Sequence, residues 1–302
     1  MKPSRNAPSR GYAASPELVA ESVVRAALLE DIGRGGDLTT DAIVDPHRRA
    51  KARIVARQNG VVAGLPFALI AFRILDPDLM VETRVGEGER IEPGGIVAEI
   101  TARARAILTG ERIALNLLCR LSGIATATRT LVDLVAETHA KIADTRKTTP
   151  GLRALERYAV ACGGGRNHRF GLDDAVLIKD NHLVIAGSVR AAIDGARARV
   201  GHMIKVEVEV DNLDQLREAL TQPIDAVLLD NMTLAQLAEA VRIVDGRVVT
   251  EASGGVTAQN VAEIARTGVD VISIGWLTHS APALDFGLDM IASEPDVYGV
   301  NA

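Results

Sequence analysis

The predicted fold rests on six short apolar runs in the second half of the chain: KIADTRK (141–147), DAVLIKD (174–180), IKVEVEV (204–210), AVLLDN (226–231), VVTEASGG (248–255) and VISIGW (271–276). Several of these runs are apolar at both alternating positions, as strands covered on two faces must be. Helical patterns such as NLDQLREAL (212–220) and TLAQLAEAV (233–241) lie between most of them and begin with Asn or Thr. This repeat predicts a parallel sheet in a βα barrel or a doubly wound fold, with fewer units than the eight of a complete TIM barrel.

The part of the chain before residue 107 has a different texture. Residues 1–15 mix Pro, Ser, Gly and Arg without an apolar segment, which predicts a flexible tail and argues against a secretory signal. The apolar periodicity of residues 16–29 predicts a helix with Pro in its first turn. Short alternating runs between residues 50 and 106 predict strands, and residues 65–75 between them predict a helix. We therefore expect a small α+β domain here.

A helical pattern covers residues 109–136 and would join the two halves. It predicts either one long helix or a helix broken at Gly123.

Length and composition limit the class of protein. With 302 residues the chain predicts one large barrel or two domains, and 47% hydrophobic with 24% charged residues is typical of a globular protein. Its apolar runs are short or interrupted, which argues against a membrane span. Cys119 and Cys162 form no CxxC pair, which excludes a disulfide framework and suits a cytoplasmic protein. A formal net charge of −5 and only four Phe, three Tyr and one Trp argue against nucleic acid as a partner.

Polar residues or glycines end every predicted strand. Ligands of parallel βα folds bind at the carboxyl ends of the strands, so these residues are the first candidates for a site. The cations concentrate at the ends of the first two strands, which places a positive field at one rim of an acidic protein. The pattern predicts an anionic substrate. The ends are Thr145-Arg146-Lys147, Lys179-Asp180-Asn181, Glu207 with Glu209, Asp230-Asn231, Ser253-Gly254-Gly255 and Gly275.

Glycines at the ends of the last two strands predict a phosphate site. Ser253-Gly254-Gly255 and Ile274-Gly275-Trp276 precede helices whose N–H groups would face a ligand. Barrels of this kind commonly hold phosphate after their final strands. A tight strand-to-helix turn is an equal explanation of the Gly-Gly pair alone.

A second group of cations lies in GGGRNHRFGL (163–172), which carries Arg166, His168 and Arg169. Together with Arg146 and Lys147, this group could grip a carboxylate or a phosphate through bidentate contacts. Taken separately, Arg146-Lys147 also fits a surface charge pair, and the three glycines fit a flexible connector.

Lys179 follows four apolar residues, so we expect its ammonium to be partly desolvated and able to bind an anion or form a Schiff base. Glu207 and Glu209 share one face of their strand and require a partner, which could be Lys179, a metal or only a structural ion pair. Asp230 lies at a strand end and could instead cap the helix that begins near Thr233.

The histidines show no spacing typical of metal ligands. Neither HxH nor HExxH occurs, which argues against a catalytic zinc site. Four histidines are therefore predicted to be ordinary surface or packing residues: His47, His139, His202 and His279.

These residues resemble the quinolinate phosphoribosyltransferase family, also called carboxylating nicotinate-nucleotide pyrophosphorylases. The longest shared stretch is DTRKTTPGLRALERYAVACGGGRNHRFGLDDAVLIKDNH (144–182), and the resemblance covers nearly the whole chain after the tail. Shorter ones are DIGRGGDLTT (31–40), ERIALNLLCRLSGIAT (111–126), VEVEVDNLDQL (206–216), LLDNM (228–232), EASGGV (251–256) and GVDVISIGWLTHS (268–280).

The resemblance implies an open α/β barrel of six to seven parallel strands with an N-terminal α/β sandwich domain. In this chain the tail would be residues 1–15, the sandwich residues 16–114 plus 284–302, and the barrel residues 115–283. The implied reaction joins quinolinate to phosphoribosyl pyrophosphate and yields nicotinate mononucleotide, pyrophosphate and carbon dioxide, with Mg²⁺, in de novo NAD synthesis. The implied assembly is a homodimer, or a larger oligomer, with active sites shared between subunits.

The resemblance also implies roles for individual residues. Quinolinate would be surrounded by cationic side chains, with Arg112 coming from the partner subunit. Catalytic roles would fall to Lys147 and Lys179 at the donor's phosphates, and to Glu209 and Asp230, which would hold the ribose hydroxyls or the Mg²⁺, in part through the substrate. The quinolinate contacts would be Arg146, His168, Arg169 and Lys179; Thr145 would bind substrate; and Ser253, Gly254, Gly255, Ile274, Gly275 and Trp276 would hold the 5′-phosphate.

Three other functions fit parts of the sequence pattern. The nearest is a related phosphoribosyltransferase found with molybdate-transport genes, which has a different acceptor; the set Arg146, Lys147, His168 and Arg169 favours quinolinate. A Schiff-base aldolase using Lys179 and a noncatalytic phosphosugar-binding regulator are the others. The regulator is disfavoured because no DNA-binding motif is appended.

Overall fold

The computed structural model describes residues 16–291. The expected tail, residues 1–15, lies outside the described residues, as do residues 292–302. The described chain divides into two compact units, one of residues 16–127, 149–164 and 281–291 and the other of residues 128–148 and 165–280. The expected domain boundaries, after residue 114 and before residue 284, stay predictions.

The elements follow one another along the chain in an order that alternates strands and helices in its second half. They are α1 (Pro16–Ile32), α2 (Leu38–Ile43), β1 (Arg49–Ala56), β2 (Gly60–Val61), α3 (Leu65–Leu75), β3 (Met80–Thr83), β4 (Arg90–Ile91), β5 (Ile96–Arg103), α4 (Ala104–Leu134), β6 (Lys141–Ala143), α5 (Arg153–Cys162), β7 (Val176–Ile178), α6 (Asp180–Ala186), α7 (Val189–Arg197), β8 (Val206–Val210), α8 (Leu213–Ala219), β9 (Ala226–Asp230), α9 (Leu234–Val244), β10 (Val249–Ser253), α10 (Val261–Arg266), β11 (Val271–Ser273), α11 (Trp276–His279) and β12 (Phe286–Ile291).

The first unit is built on a four-stranded antiparallel sheet in the order β12-β1-β5-β3. The strand β1 alternates: Ala52 and Ile54 are fully buried, while Arg53 lies on the outer face opposite Glu99 and donates to it at 3.0 Å. The core contains Ile54, Phe72 and Ile100, so the helices α1 and α3 cover the apolar face of this sheet. The α+β character expected for this region and the helix over residues 65–75 are confirmed.

The helix α4 is continuous over its 31 residues, so the alternative of one long helix is confirmed and the break at Gly123 is wrong. Gly123 serves a different purpose. A Cβ there would lie 2.1 Å from the carbonyl oxygen of Pro282, so only glycine lets the chain at Pro282–Ala283 pass this close to the helix. The amide of Leu284 donates to the carbonyl of Cys119 at 2.9 Å and fixes that crossing.

The second unit contains one parallel sheet of six strands in the order β6-β11-β10-β9-β8-β7. Each of the six apolar runs forms one of these strands, and helices connect consecutive strands as the repeat predicts. Asn212 and Thr233 cap the helices α8 and α9 by accepting hydrogen bonds from backbone amides of the first turn. The open α/β barrel is confirmed, with β6 and β7 as the two edges that do not pair with each other.

A short bridge extends the sheet beyond β6. The amide of Arg166 donates to the carbonyl of Ile142 at 2.7 Å, and the amide of Asp144 donates to the carbonyl of Arg166 at 3.1 Å. Because of this bridge, the segment after the three glycines runs beside the end of β6. Within residues 16–291, none of the helices combines the length and apolarity that a membrane crossing needs.

Candidate active site

A cavity of about 550 Å³ opens at the carboxyl ends of the parallel strands of the second unit. This is where the fold class predicts a ligand. Its lining is mostly polar, and cationic and acidic side chains face each other in it. The lining residues are Thr145, Arg146, Lys147, His168, Arg169, Leu177, Lys179, Glu209, Leu228, Asp230, Asn231, Glu251, Ser253, Gly254, Gly255, Val256, Ser273, Ile274, Gly275, Trp276 and His279.

The turn after β6 brings Lys147 into the cavity. The hydroxyl of Thr145 accepts a hydrogen bond from the Lys147 amide at 3.0 Å, and the hydroxyl of Thr278 donates to the Lys147 carbonyl at 2.8 Å. The Lys147 side chain lies over Gly275, because a Cβ at Gly275 would be only 2.7 Å from Cδ of the lysine. The backbone of this lysine is thus fixed while its ammonium stays exposed to a ligand.

The segment beside β6 brings His168 and Arg169 to the same side. The fully buried carboxylate of Asp144 accepts hydrogen bonds from the His168 amide at 2.8 Å and from Nδ2 of Asn167 at 2.5 Å. Nη1 of Arg169 donates to the Ala175 carbonyl at 3.1 Å. Burial lowers the pKa of Arg169, and the positive charge of Arg146 lowers it further. The positive charges of these two arginines therefore repel each other, and an anion bound between them would stabilise both.

His168 lies between two carboxylates. Its Nε2 is 3.1 Å from Oε2 of Glu207 and 3.4 Å from Oε2 of Glu251. Burial alone would lower the pKa of the imidazole, but the hydrogen bonds to Glu207 and Glu251 outweigh burial and raise it to about 10. The two carboxylates therefore favour the protonated form of the ring.

A second ion pair lies on the same face of β8. Nζ of Lys179 donates to Oε2 of the buried Glu209 at 2.5 Å, so Lys179 is the partner of one of the two glutamates. The Lys179 side chain is 46% exposed, so the apolar residues before it remove it only partly from water. Burial raises the pKa of Asp230, and the nearby charge of Glu209 raises it further, which places two carboxylates beside each other at neighbouring strand ends.

Asp230 faces the cavity and does not cap α9, since Thr233 does so. Nδ2 of Asn231 donates to Oδ2 of Asp230 at 2.6 Å and holds that carboxylate. Asn231 has a φ of 52°, in the left-handed region that non-glycine residues seldom adopt. A Cβ at Gly254, whose φ is 90°, would lie 2.1 Å from Oδ1 of Asn231, so the glycine is required both for its backbone and for space.

The glycine turns after β10 and β11 are tied together. Nε1 of Trp276 donates to the carbonyl of Val256 at 2.9 Å, and Nδ2 of Asn260 donates to the carbonyl of Gly255 at 3.0 Å. A Cβ at Gly255 would meet nothing within 4 Å, so the backbone there is open to a ligand. Both turns line the cavity, as the sequence predicted for a phosphate site.

All the residues to which the family resemblance assigns a role line this one cavity except Arg112, which is an exposed residue of α4 in the first unit. Four other candidates from the sequence do not line it: Arg166, Asp180, Asn181 and Glu207. The sequence reasoning missed Glu251 as a member of the site. The alternation of side chains along a strand could have predicted Glu251, because residues 251 and 253 lie on the same face of β10 and Ser253 was a candidate. His279 was expected to be an ordinary surface residue and is indeed exposed, but it also lines the cavity.

Comparison with known proteins agrees with this geometry. The family model of the quinolinate phosphoribosyl transferase C-terminal domain matches residues 124–289, and that of the N-terminal domain matches residues 37–122. A Bacillus subtilis protein named probable nicotinate-nucleotide pyrophosphorylase (carboxylating) is 43% identical over 269 residues, which cover 89% of this chain and 92% of the relative. A Mycobacterium leprae nicotinate-nucleotide pyrophosphorylase (carboxylating) is 46% identical over 279 residues, 90% of this chain and 97% of the relative.

A solved structure shows the same fold. NadC from Streptococcus pyogenes superposes with a TM-score of 0.88 at 40% identity and covers 93% of this chain and 100% of the other. The resemblance inferred from the sequence motifs is thus confirmed by both domain models and by relatives of matching length. This chain belongs to the quinolinate phosphoribosyl transferase family.

Proposed function

We propose that this protein transfers the phosphoribosyl group of phosphoribosyl pyrophosphate to quinolinate, with loss of carbon dioxide, and so forms nicotinate mononucleotide and pyrophosphate. This is the de novo route to NAD. One observation carries the proposal: three features line a single cavity. They are a group of cations that suits a dicarboxylate, a pair of carboxylate side chains, and two glycine turns. The names of the relatives point to the same reaction.

The acceptor side of the cavity is the cationic one. Quinolinate carries two adjacent carboxylates, and Arg146 and Arg169 are close enough to repel each other in the absence of an anion. With His168 they offer charged donors that suit planar carboxylates. Lys179 completes this group, and in a dimer Arg112 of the partner subunit would reach the same acid.

The donor side combines cations with backbone amides. The turns at Ser253–Gly255 and Ile274–Trp276 suit the 5′-phosphate, because glycines allow the backbone to approach the ligand closely. Lys147, over Gly275, and Lys179 are placed to stabilise the charge that develops on pyrophosphate as it leaves. Glu209 and Asp230 can accept hydrogen bonds from the ribose hydroxyls.

The pair Glu209 and Asp230 also fits Mg²⁺. Burial and then the charge of Glu209 raise the pKa of Asp230, and a divalent cation with oxygen ligands would favour the ionised form of Asp230. When bound there with the donor, Mg²⁺ would neutralise phosphate charge, and Glu209 and Asp230 would hold it.

The reaction needs positioning and electrostatics rather than a covalent nucleophile. The pyridine nitrogen attacks the anomeric carbon of the ribose while the bond to pyrophosphate breaks, and Lys147 and Lys179 stabilise the leaving oxygens. The alkylated ring nitrogen is cationic. Loss of the neighbouring carboxylate as carbon dioxide leaves its electron pair on the ring carbon, where the adjacent positive charge stabilises it until a proton is taken up.

We infer further that the enzyme acts in the cytoplasm as a homodimer or a larger assembly. Both cysteines are free thiols, which suits a reducing compartment. Arg112 is exposed on α4. In a dimer, its positive charge would bind the quinolinate held in the partner subunit's cavity.

Turnover tests the proposed function directly. Purified protein with Mg²⁺, phosphoribosyl pyrophosphate and quinolinate labelled at the carboxylate beside the ring nitrogen should release labelled carbon dioxide and form nicotinate mononucleotide. Nicotinate in place of quinolinate should give no product. Arg242→Ala, on the exposed surface of α9, is the matched control for the loss of Arg146 in the variant Arg146→Ala, and it should keep full activity. If neither acid reacts while the donor binds, the acceptor assignment is wrong.

A further inference from the structure

The two carboxylates beside His168 have no role in the reaction just described. Glu207 lies on β8 and Glu251 on β10, and both direct Oε2 at the same ring nitrogen, Nε2. The side chains of His168, Glu207 and Glu251 are only 15%, 12% and 6% exposed. The imidazole therefore contacts these carboxylates away from bulk water.

The hydrogen bonds within this cluster indicate which of its atoms carry protons. An ionised carboxylate only accepts hydrogen bonds, so both contacts require a proton on Nε2. If that ring were neutral, two buried carboxylates would face an uncharged donor, which is costly. Oε1 of Glu251 is buried and has no hydrogen-bond partner within the described part of the chain, so His168 is the group that compensates this carboxylate.

Burial and the charge of Glu251 raise the pKa of Glu207, whereas His168 and Arg169 lower it. Arg169, on the segment that carries His168, lies close enough to Glu207 for the two charges to attract. The main chain of His168 is independently fixed, because its amide donates to the buried carboxylate of Asp144 at 2.8 Å. Backbone and ring are thus held by three carboxylates, one directly after β6, one in β8 and one in β10.

We propose that Glu207 and Glu251 are positioning residues that hold His168 as a fixed imidazolium in the acid-binding side of the cavity. This inference deepens the proposed function and rests on it for the identity of the acid. In this proposal the glutamates act through the histidine. Glu251 also lines the cavity, whereas Glu207 does not. The charge of Glu207 in addition attracts Arg169.

The same three side chains have the composition of a divalent metal site, since their ligand atoms lie within 4.8 Å of one another. The hydrogen-bonded arrangement is favoured because both carboxylates aim at one nitrogen, and that nitrogen cannot carry a proton and a metal together. A metal at this position is the competing outcome of the test.

The test begins with nuclear magnetic resonance of the ligand-free protein labelled with ¹⁵N-histidine. At neutral pH the His168 ring should show the pattern of a doubly protonated imidazolium. Glu207→Gln/Glu251→Gln should convert it to the neutral pattern, and the two single variants provide the measurement if the double variant does not fold. Added Zn²⁺ should leave the wild-type signals unchanged. A neutral ring in the wild type, or stoichiometric zinc binding at His168, would overturn the proposal.

Kinetics then separate positioning from a structural role. The double variant should raise KM for quinolinate about tenfold or more while KM for phosphoribosyl pyrophosphate changes by less than about twofold. Glu263→Gln, on the exposed surface of α10, is the matched control and should change neither constant. Equal losses for both substrates would contradict positioning. If the wild type does not turn over quinolinate, the proposed function fails, while the ring's protonation still decides whether the glutamates hold it.

Discussion

Replacing Gly275 with alanine tests the role of Lys147 without changing any charged group. Gly275 precedes α11 with φ −68° and ψ −40°, a conformation that alanine adopts freely, so the backbone should not be strained. The new Cβ would lie 2.7 Å from Cδ of Lys147, whereas its contacts to Oγ1 of Thr145 and Cβ of Lys147, at 3.5 and 3.6 Å, are ordinary. Only the outer part of the lysine has to move.

The size of the expected effect follows from that displacement. Carbon atoms pack at about 3.5–4.0 Å, so Cδ must shift by about 1 Å, and the ammonium moves with it. Because Lys147 is exposed, the shift should cost little folding stability. Misplacing a group that stabilises the leaving pyrophosphate by about 1 Å can cost up to about 100-fold in rate. We expect kcat/KM for phosphoribosyl pyrophosphate to fall by about 10- to 100-fold, or about 1.4–2.7 kcal/mol.

The assay is steady-state turnover combined with a double-mutant cycle against Lys147→Ala. Gly275→Ala should have almost no effect in the Lys147→Ala background, because the displaced group is already gone. The unfolding midpoint of Gly275→Ala should match that of the wild type. Full activity of Gly275→Ala would refute the role of Lys147, and an undiminished loss in the Lys147→Ala background would show that the methyl group blocks the donor itself.

Three further perturbations follow from the structure. Gly123→Ala should destabilise the protein by about 1–3 kcal/mol in chemical unfolding, because its Cβ would lie 2.1 Å from the Pro282 carbonyl oxygen. Gly195→Ala is the control, since it lies inside α7 and its Cβ would meet no atom within 4 Å. This variant should raise the free energy of unfolding by up to about 1 kcal/mol. Burial would raise the pKa of Asp225, but the hydrogen bonds that it accepts from Lys205, Val206 and Arg197 lower its pKa from 3.8 to about 2. Its contribution to folding stability is therefore present above pH 3.8 and is lost as the pH falls towards 2. In acid unfolding, the difference in stability between the wild type and Asp225→Asn should close over that range. Arg146→Ala should lower kcat/KM for quinolinate by about 2 kcal/mol or more through loss of a charged bidentate contact, and unchanged kinetics would remove Arg146 from the site.

The barrel was predictable because its strands are marked twice in the sequence. Each strand is a short run, several of them apolar on both faces, and each ends in glycine or a polar residue that the fold class assigns to a ligand. Asn212 and Thr233 also mark the starts of two helices by their capping chemistry. Local patterns of this kind depend on neighbours in sequence, so they survive without any knowledge of tertiary contacts.

The errors concern residues whose environment comes from distant parts of the chain. Gly123 has the sequence signature of a helix break, yet its reason is the crossing of Pro282 about 160 residues later, which local helix propensity does not include. For Asp230 the sequence left a helix cap open beside the site, and only the structure shows that Thr233 provides that cap. Glu251 was missed because one glutamate in a strand acquires meaning only when His168, from another strand end, lies beside it.

Like charges lie together at two points of the cavity, and the proposed reaction would use both. On the acceptor side, burial and then the charge of Arg146 lower the pKa of Arg169, although Asp174 and Glu207 oppose that shift. On the donor side, burial and then the charge of Glu209 raise the pKa of Asp230. In the proposed reaction, the carboxylates of quinolinate would stabilise the cationic pair, and the ribose hydroxyls or Mg²⁺ would stabilise the acidic pair. Because the two pairs have opposite sign, they would favour different parts of the two substrates, and this would bring the acceptor nitrogen to the anomeric carbon in one orientation.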